Sequence, residues 1–151
     1  MPELNKVVEP SPPEDIYARM GGKLGISRIR SGNDLASLVE KRLPVTAIKS
    51  LVRGGFSDAE IYQLVVPRRT LSHRIANHQP LSTEESDKAV RVARVTSMAE
   101  QVFGEPEKAW RWLRKPKKRF DGKTPIEMLA TDAGARLVEE MILQLEYGFF
   151  A

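Results

Sequence analysis

Strong start and stop signals for helices are the feature that most limits how this chain can fold. A serine or threonine followed three residues later by glutamate is the capping box that opens an α-helix, and this pattern occurs at Ser57, Ser82 and Thr124. Glycines mark the expected helix ends, at Gly54, Gly55, Gly104 and Gly148. Strand-like alternation is weak outside residues 25–31, which suit a short extended piece. The predicted fold class is therefore all-α.

Apolar spacing between these signals predicts where the helices lie and which faces they bury. The predicted helical segments are 33–42, 44–53, 56–65, 67–77, 82–103, 105–114 and 131–147. On the long central helix the predicted inward stripe is Val92, Val95, Ala99 and Val102. On the last helix it is Leu137, Val138, Met141, Ile142 and Leu145. Trp110, Leu113 and Leu129 are also spaced as core residues. Four prolines among polar residues predict that residues 1–20 form a mobile arm.

Composition excludes several classes of protein. No apolar run approaches the roughly 20 residues that span a bilayer, and the first residues lack the order of a signal peptide. Cysteine is absent, which fits a reducing cytoplasm, and His73 and His78 are too few and poorly spaced to suggest a metal centre. There is no Gly-rich phosphate loop and no sensible Ser/His/Asp grouping. We therefore expect a cytoplasmic protein that is not an enzyme and needs no metal or cofactor.

Charge is distributed unevenly along the chain, although its net value is only +4. Residues 61–123 carry fourteen Lys/Arg against seven Asp/Glu, whereas residues 124–151 carry one against five. Residues 1–60 are close to neutral, with nine against eight. A basic middle and an acidic tail predict two surfaces with different partners.

Residues 57–77 have the pattern of a helix-turn-helix, with two short helices joined by almost nothing and a second helix that is basic at its start. Such a recognition helix enters the major groove of double-stranded DNA with its N-terminal end leading. The predicted DNA-binding residues are Arg68, Arg69, Thr70, His73 and Arg74. Leu71 and Ile75 are expected to hold the helix against the core. The turn, Val65-Val66-Pro67, lacks the glycine that many such motifs carry, and a solvated basic face is the open alternative.

Most of the chain resembles a known family. The elements "RRTL", "LSTEESDK", "AWRWL", "GKTPIEML" and "EYG" stand in the order found in Xre/MbcA/ParS-type antitoxins, from roughly residue 32 to the end. The resemblance implies a bacterial antitoxin that binds and neutralises a cognate RES-domain toxin, an NAD-degrading or ADP-ribosylating enzyme. It also implies a homodimer that binds the promoter of its own operon as a repressor. The domain organisation expected from it is a helix-turn-helix and dimerisation region over 21–103 and a small helical toxin-binding domain over 104–151.

The carboxyl end is the predicted toxin-binding surface. Phe149 and Phe150 lie beyond the last helix stop, where a core role is less assured, and aromatic burial dominates interface energetics. With Glu139, Glu146 and Tyr147 they could enter a basic NAD pocket. Core packing or a dimer interface is the rival role for the tail. At the level of the whole protein, the alternative is a stand-alone helix-turn-helix regulator whose C-terminal helix only dimerises.

Overall fold

The computed structural model describes residues 13–148, with side chains from residue 16 onward, and in this part of the chain every regular element is helical. The helices are α1 (Pro13–Leu24), α2 (Gly32–Lys41), α3 (Thr46–Arg53), α4 (Asp58–Leu64), α5 (Arg68–Ala76), α6 (Thr83–Phe103), α7 (Pro106–Leu113), α8 (Pro125–Met128) and α9 (Asp132–Glu146), with a 3₁₀ turn at Lys118–Phe120. The all-α prediction is confirmed. None of these helices is long and apolar enough to cross a membrane.

The predicted start signals form real caps. Ser57 and Ser82 each accept a hydrogen bond from the backbone N–H three residues on, and Glu60 and Glu85 accept one back from the capping residue. Thr124 caps α8 with its side chain alone. Two helices begin at slightly different positions from those predicted: Ser31 rather than Asn33 caps α2, and α3 begins at Thr46 rather than at Pro44.

The predicted mobile arm is wrong for residues 13–20, which belong to α1. Met20 and Leu24 on this helix are buried, and α1 packs against α3 and α6. The prolines were misleading because Pro13 occupies the first helical position, where its missing N–H has no intrahelical partner to lose. Residues 1–12 lie outside the described part of the chain, so the arm there stays a prediction.

Helix α6 forms the centre of the molecule. It packs against α1, α2, α7 and α9, and its valines and alanines join a single apolar cluster to which the helices before and after it contribute. On α9 the buried face includes Val138, Met141 and Ile142, as predicted. The prediction for Leu137 is wrong: the residue is 49% exposed, because the buried stripe of α9 runs through 135, 138 and 142 and position 137 lies at the flank of that stripe.

A buried ion pair connects the first helix to the central helix. Lys23 on α1 lies 2.8 Å from Glu100 on α6, with both side chains less than one tenth exposed. The ammonium also donates to the Gly54 carbonyl, and the Trp110 indole N–H donates to the other oxygen of Glu100. Three helices and the Gly54 carbonyl therefore meet at one satisfied polar contact.

Trp110 also fixes the corner between α3 and α4. Its ring meets Phe56 edge-on, with centroids 4.8 Å apart, and lies flush against Gly55. A Cβ on Gly55 would come within 2.5 Å of the indole, and the φ of +127° there is one that other residues rarely adopt. Glycine is therefore required at this position both by space and by backbone conformation.

We expect Glu100→Gln to lower the free energy of unfolding by about 3–5 kcal/mol, because it leaves the Lys23 ammonium buried without a counter-charge. Urea unfolding followed by circular dichroism measures this. Lys108→Ala is the control, because its pair with Glu105 is well exposed and 3.9 Å long, and such pairs contribute about 0–1 kcal/mol. Equal losses for the two variants would contradict the structural role of the buried pair.

Candidate nucleic-acid interface and the face of the last helix

Helices α4 and α5 meet at a tight corner that has helix-turn-helix form. Val65 and Val66 in the turn are buried, and both of their backbone N–H groups donate to the Ile61 carbonyl. No residue of the turn has a positive φ. The missing glycine is therefore no obstacle to this geometry, because only a left-handed backbone would require one.

The start of α5 is exposed and basic. Arg68 and Arg69 are exposed and Thr70 is half-buried, and no ion pair engages either arginine among the described residues. Pro67 precedes the helix and provides no side-chain cap, so the first N–H groups of α5 are not used by a capping side chain. This end of the helix can donate both charge and hydrogen bonds to an anion.

Farther along α5 the predicted DNA-binding residues have different surroundings. His73 is exposed, with its ring 3.3 Å from the side-chain amide of Asn77. Arg74, in contrast, donates through Nε and Nη2 to both oxygens of Glu85, at 2.6 and 3.1 Å. The sequence did not indicate this pairing, because Glu85 lies eleven residues away and on another helix. We therefore assign Arg74 to the packing of α5 on α6 rather than to a ligand.

Glu85 stays ionised in this arrangement. Burial by itself would raise its pKa, but hydrogen bonds from Arg74 and from the Ser82 backbone, together with the charge of Arg74, outweigh that effect and hold the pKa of Glu85 below its ordinary value. One carboxylate thus caps α6 and fixes α5. Leu71 is buried beneath α5 as predicted, whereas Ile75 is half exposed and does not hold the helix against the core.

The predicted toxin-binding residues do not form one group. Glu139 accepts a 2.8 Å hydrogen bond from Arg94, a contact that holds α9 against α6. Glu146 and Tyr147 are exposed, the latter by 69%. Phe149 and Phe150 lie outside the described residues.

The exposed side of α9 carries apolar residues that sequence reasoning missed. Leu137 and Leu143 are both more than two fifths exposed, and with Tyr147 they leave large apolar side chains facing water. Near its end this side borders a small groove of about 200 Å³, lined also by Ile16, Met98 and Val102. The available signal was that α9 has more large apolar residues than one buried stripe can accommodate.

Comparisons with known proteins agree with this two-part arrangement. Residues 34–94 match the family model described as the antitoxin Xre-like helix-turn-helix domain. Residues 98–148 match the antitoxin Xre/MbcA/ParS C-terminal toxin-binding domain. The two matches meet inside α6.

Whole-chain relatives give the same result. The chain is 38% identical to a protein of Pseudomonas putida named antitoxin Xre, over 97% of this chain and 92% of the relative. It is 29% identical to an antitoxin Xre of Photorhabdus laumondii, over 78% of this chain and 82% of the relative. It is 27% identical to a Sphingobium protein named Prs ADP-ribosylating antitoxin, over 78% of this chain and 81% of the relative. The chain thus belongs to the Xre/MbcA/ParS family of antitoxins, with a helix-turn-helix domain followed by a toxin-binding domain.

Proposed function

We propose that this protein neutralises a RES-domain toxin through the exposed side of α9 and the residues that follow it, and represses its own operon through α5. The observation that carries the proposal is the face of α9. Large apolar side chains there remain in water although the opposite face of the same helix is fully packed. A helix that is apolar on two sides needs a second surface to cover it.

The position of this face supports a toxin as the partner. It lies within the residues that match the toxin-binding domain, 98–148. Glu140 lies between Leu137 and Leu143 on this side of the helix, and Glu146 lies near its end; both are exposed, and they suit a basic pocket in an enzyme that binds NAD. One relative is named as an antitoxin of the Prs ADP-ribosylating kind. For this chain a RES-domain toxin is the partner to test first.

The basic start of α5 supports operator binding. Arginines at the beginning of a recognition helix reach base edges and phosphates in the major groove. A homodimer would present two such helices to the two halves of an operator. We propose this dimer as the repressing form, with Arg68, Arg69 and Thr70 as the leading contacts and His73 beside them.

Co-expression with the adjacent gene distinguishes this proposal from a stand-alone regulator that uses α9 only to dimerise. The antitoxin role predicts that the neighbouring product arrests growth, that this chain restores growth, and that the two proteins purify together. A chain that binds operator DNA but neither restores growth nor retains the neighbouring product would support the stand-alone regulator.

We expect Arg69→Ala to weaken binding to the upstream promoter without changing stability, because its side chain is exposed and unpaired among the described residues. Arg74→Ala is the matched comparison: it should lower the free energy of unfolding by about 1–3 kcal/mol, since it leaves Glu85 without its main partner. Fluorescence anisotropy with labelled promoter DNA and urea unfolding measure the two effects. An Arg69→Ala variant with unchanged DNA affinity would remove α5 from the interface.

We expect Leu137→Ser combined with Tyr147→Ala to abolish growth rescue and toxin binding while the chain stays folded and promoter affinity stays unchanged, because both residues are exposed on α9. Val52→Ser is the control, since it removes an exposed apolar side chain from α3 instead. Deletion of residues 148–151 tests the tail separately. Full rescue by the double variant would show that the toxin is bound elsewhere.

A further inference from the structure

An open arginine-lined trough crosses the boundary between the two halves of the molecule. Its larger part, about 580 Å³, is lined by Arg53, Gly54, Gly55 and four residues of α7, with Arg114 at its end. A second hollow of about 390 Å³ continues from it, shares Arg53 and Gly54, and reaches Arg19 on α1. The trough therefore lies between the helix-turn-helix domain and the first helix of the toxin-binding domain.

The trough carries positive charge that the described residues do not neutralise. Arg53 and Arg111 are exposed and have no ion-pair partner among those residues. Arg114, in contrast, is held by Glu60, with Nη2 2.7 Å from the nearer carboxylate oxygen, and its guanidinium stacks 4.6 Å from the centroid of Trp110. Among the described residues, Glu107 is the one acid that lines the trough. After these pairings are counted, the trough still favours an anion.

The contacts of Arg114 fix the trough relative to the helix-turn-helix. Arg114 donates to the Gly55 carbonyl at 2.7 Å and to Glu60 on α4, so the end of α7 is fastened to the first helix of the motif. In DNA complexes of this motif the first helix crosses the phosphate backbone while the second enters the groove.

We propose that this trough holds a stretch of operator phosphate backbone, with Arg53 and Arg111 as phosphate contacts. The proposal rests on the proposed DNA binding by α5 and extends it, because Arg111 belongs to the toxin-binding domain. Operator contact is then shared between the two domains. Double-stranded DNA fits better than a single small anion, because two adjoining hollows form the trough and its unpaired arginines come from different helices.

The test is the salt dependence of binding to the chain's own promoter duplex. Each phosphate contact contributes about −0.9 to the slope of log affinity against log salt. Arg53→Ala with Arg111→Ala should therefore make the slope less steep by about two and lower the affinity at 0.1 M salt by at least tenfold. The ratio between promoter and unrelated DNA should stay unchanged, since phosphate contacts do not read sequence. Lys41→Ala with Lys123→Ala removes the same charge outside the lining of the trough and should change neither quantity.

Glu107→Gln is expected to increase affinity, a result that loss of folding cannot produce. This change removes the one carboxylate in the trough and should raise promoter affinity. All variants should still neutralise the toxin. If the Arg53/Arg111 variant keeps the wild-type slope while Arg69→Ala weakens binding, the trough is not a DNA contact but the proposed function stands. If no variant and no wild-type protein binds the promoter, the DNA-binding proposal itself fails.

Two further outcomes would also overturn the inference. Loss of toxin neutralisation in the Arg53/Arg111 variant, with the salt slope unchanged, would assign the trough to the toxin. Isothermal titration with inorganic pyrophosphate tests the other source of phosphate. Saturable pyrophosphate binding that disappears in the variant, again with an unchanged slope for DNA, would assign the trough to a small phosphorylated ligand.

Discussion

The structure depends on the contact among Lys23, Glu100 and Trp110. A charge removed from water is tolerated only when it is paired and hydrogen-bonded, and here each partner has what it needs. The requirement is demanding, because the participants come from α1, α6 and α7 and must all be in place together. Trp110 extends the contact by packing on Gly55 and Phe56, which sets the entry into the helix-turn-helix. The position of the DNA-facing domain therefore depends on a residue of the toxin-binding domain.

Helix α6 explains why the two domains are not independent units. Its start is tied to the recognition helix through Glu85 and Arg74, and its middle is tied to α9 through Arg94 and Glu139. The first pair is largely buried, whereas the second is partly exposed. The predicted division at residues 103 and 104 falls at the end of this shared helix, whereas the core continues across it.

Local signals in the sequence predicted the local structure well. The boxes at Ser57 and Ser82 work because cap and partner are three residues apart, so no other part of the chain has to be known. The errors arose where the outcome depends on distant partners. Leu137 and Ile75 are apolar and correctly spaced, yet neither faces the core. The pairing of Lys23 with Glu100 spans 77 positions, and no periodicity predicts it.

The turn between α4 and α5 has a consequence for how the recognition helix meets its target. Its three residues are two valines and a proline, all of which have fewer backbone conformations available in the unfolded chain than glycine. Because the valines are also buried, little torsional freedom remains at this corner. The angle of α5 is therefore set before any ligand arrives, and association need not spend binding energy on ordering a hinge. A preorganised corner of this kind favours a recognition helix that docks on its target as part of a rigid body.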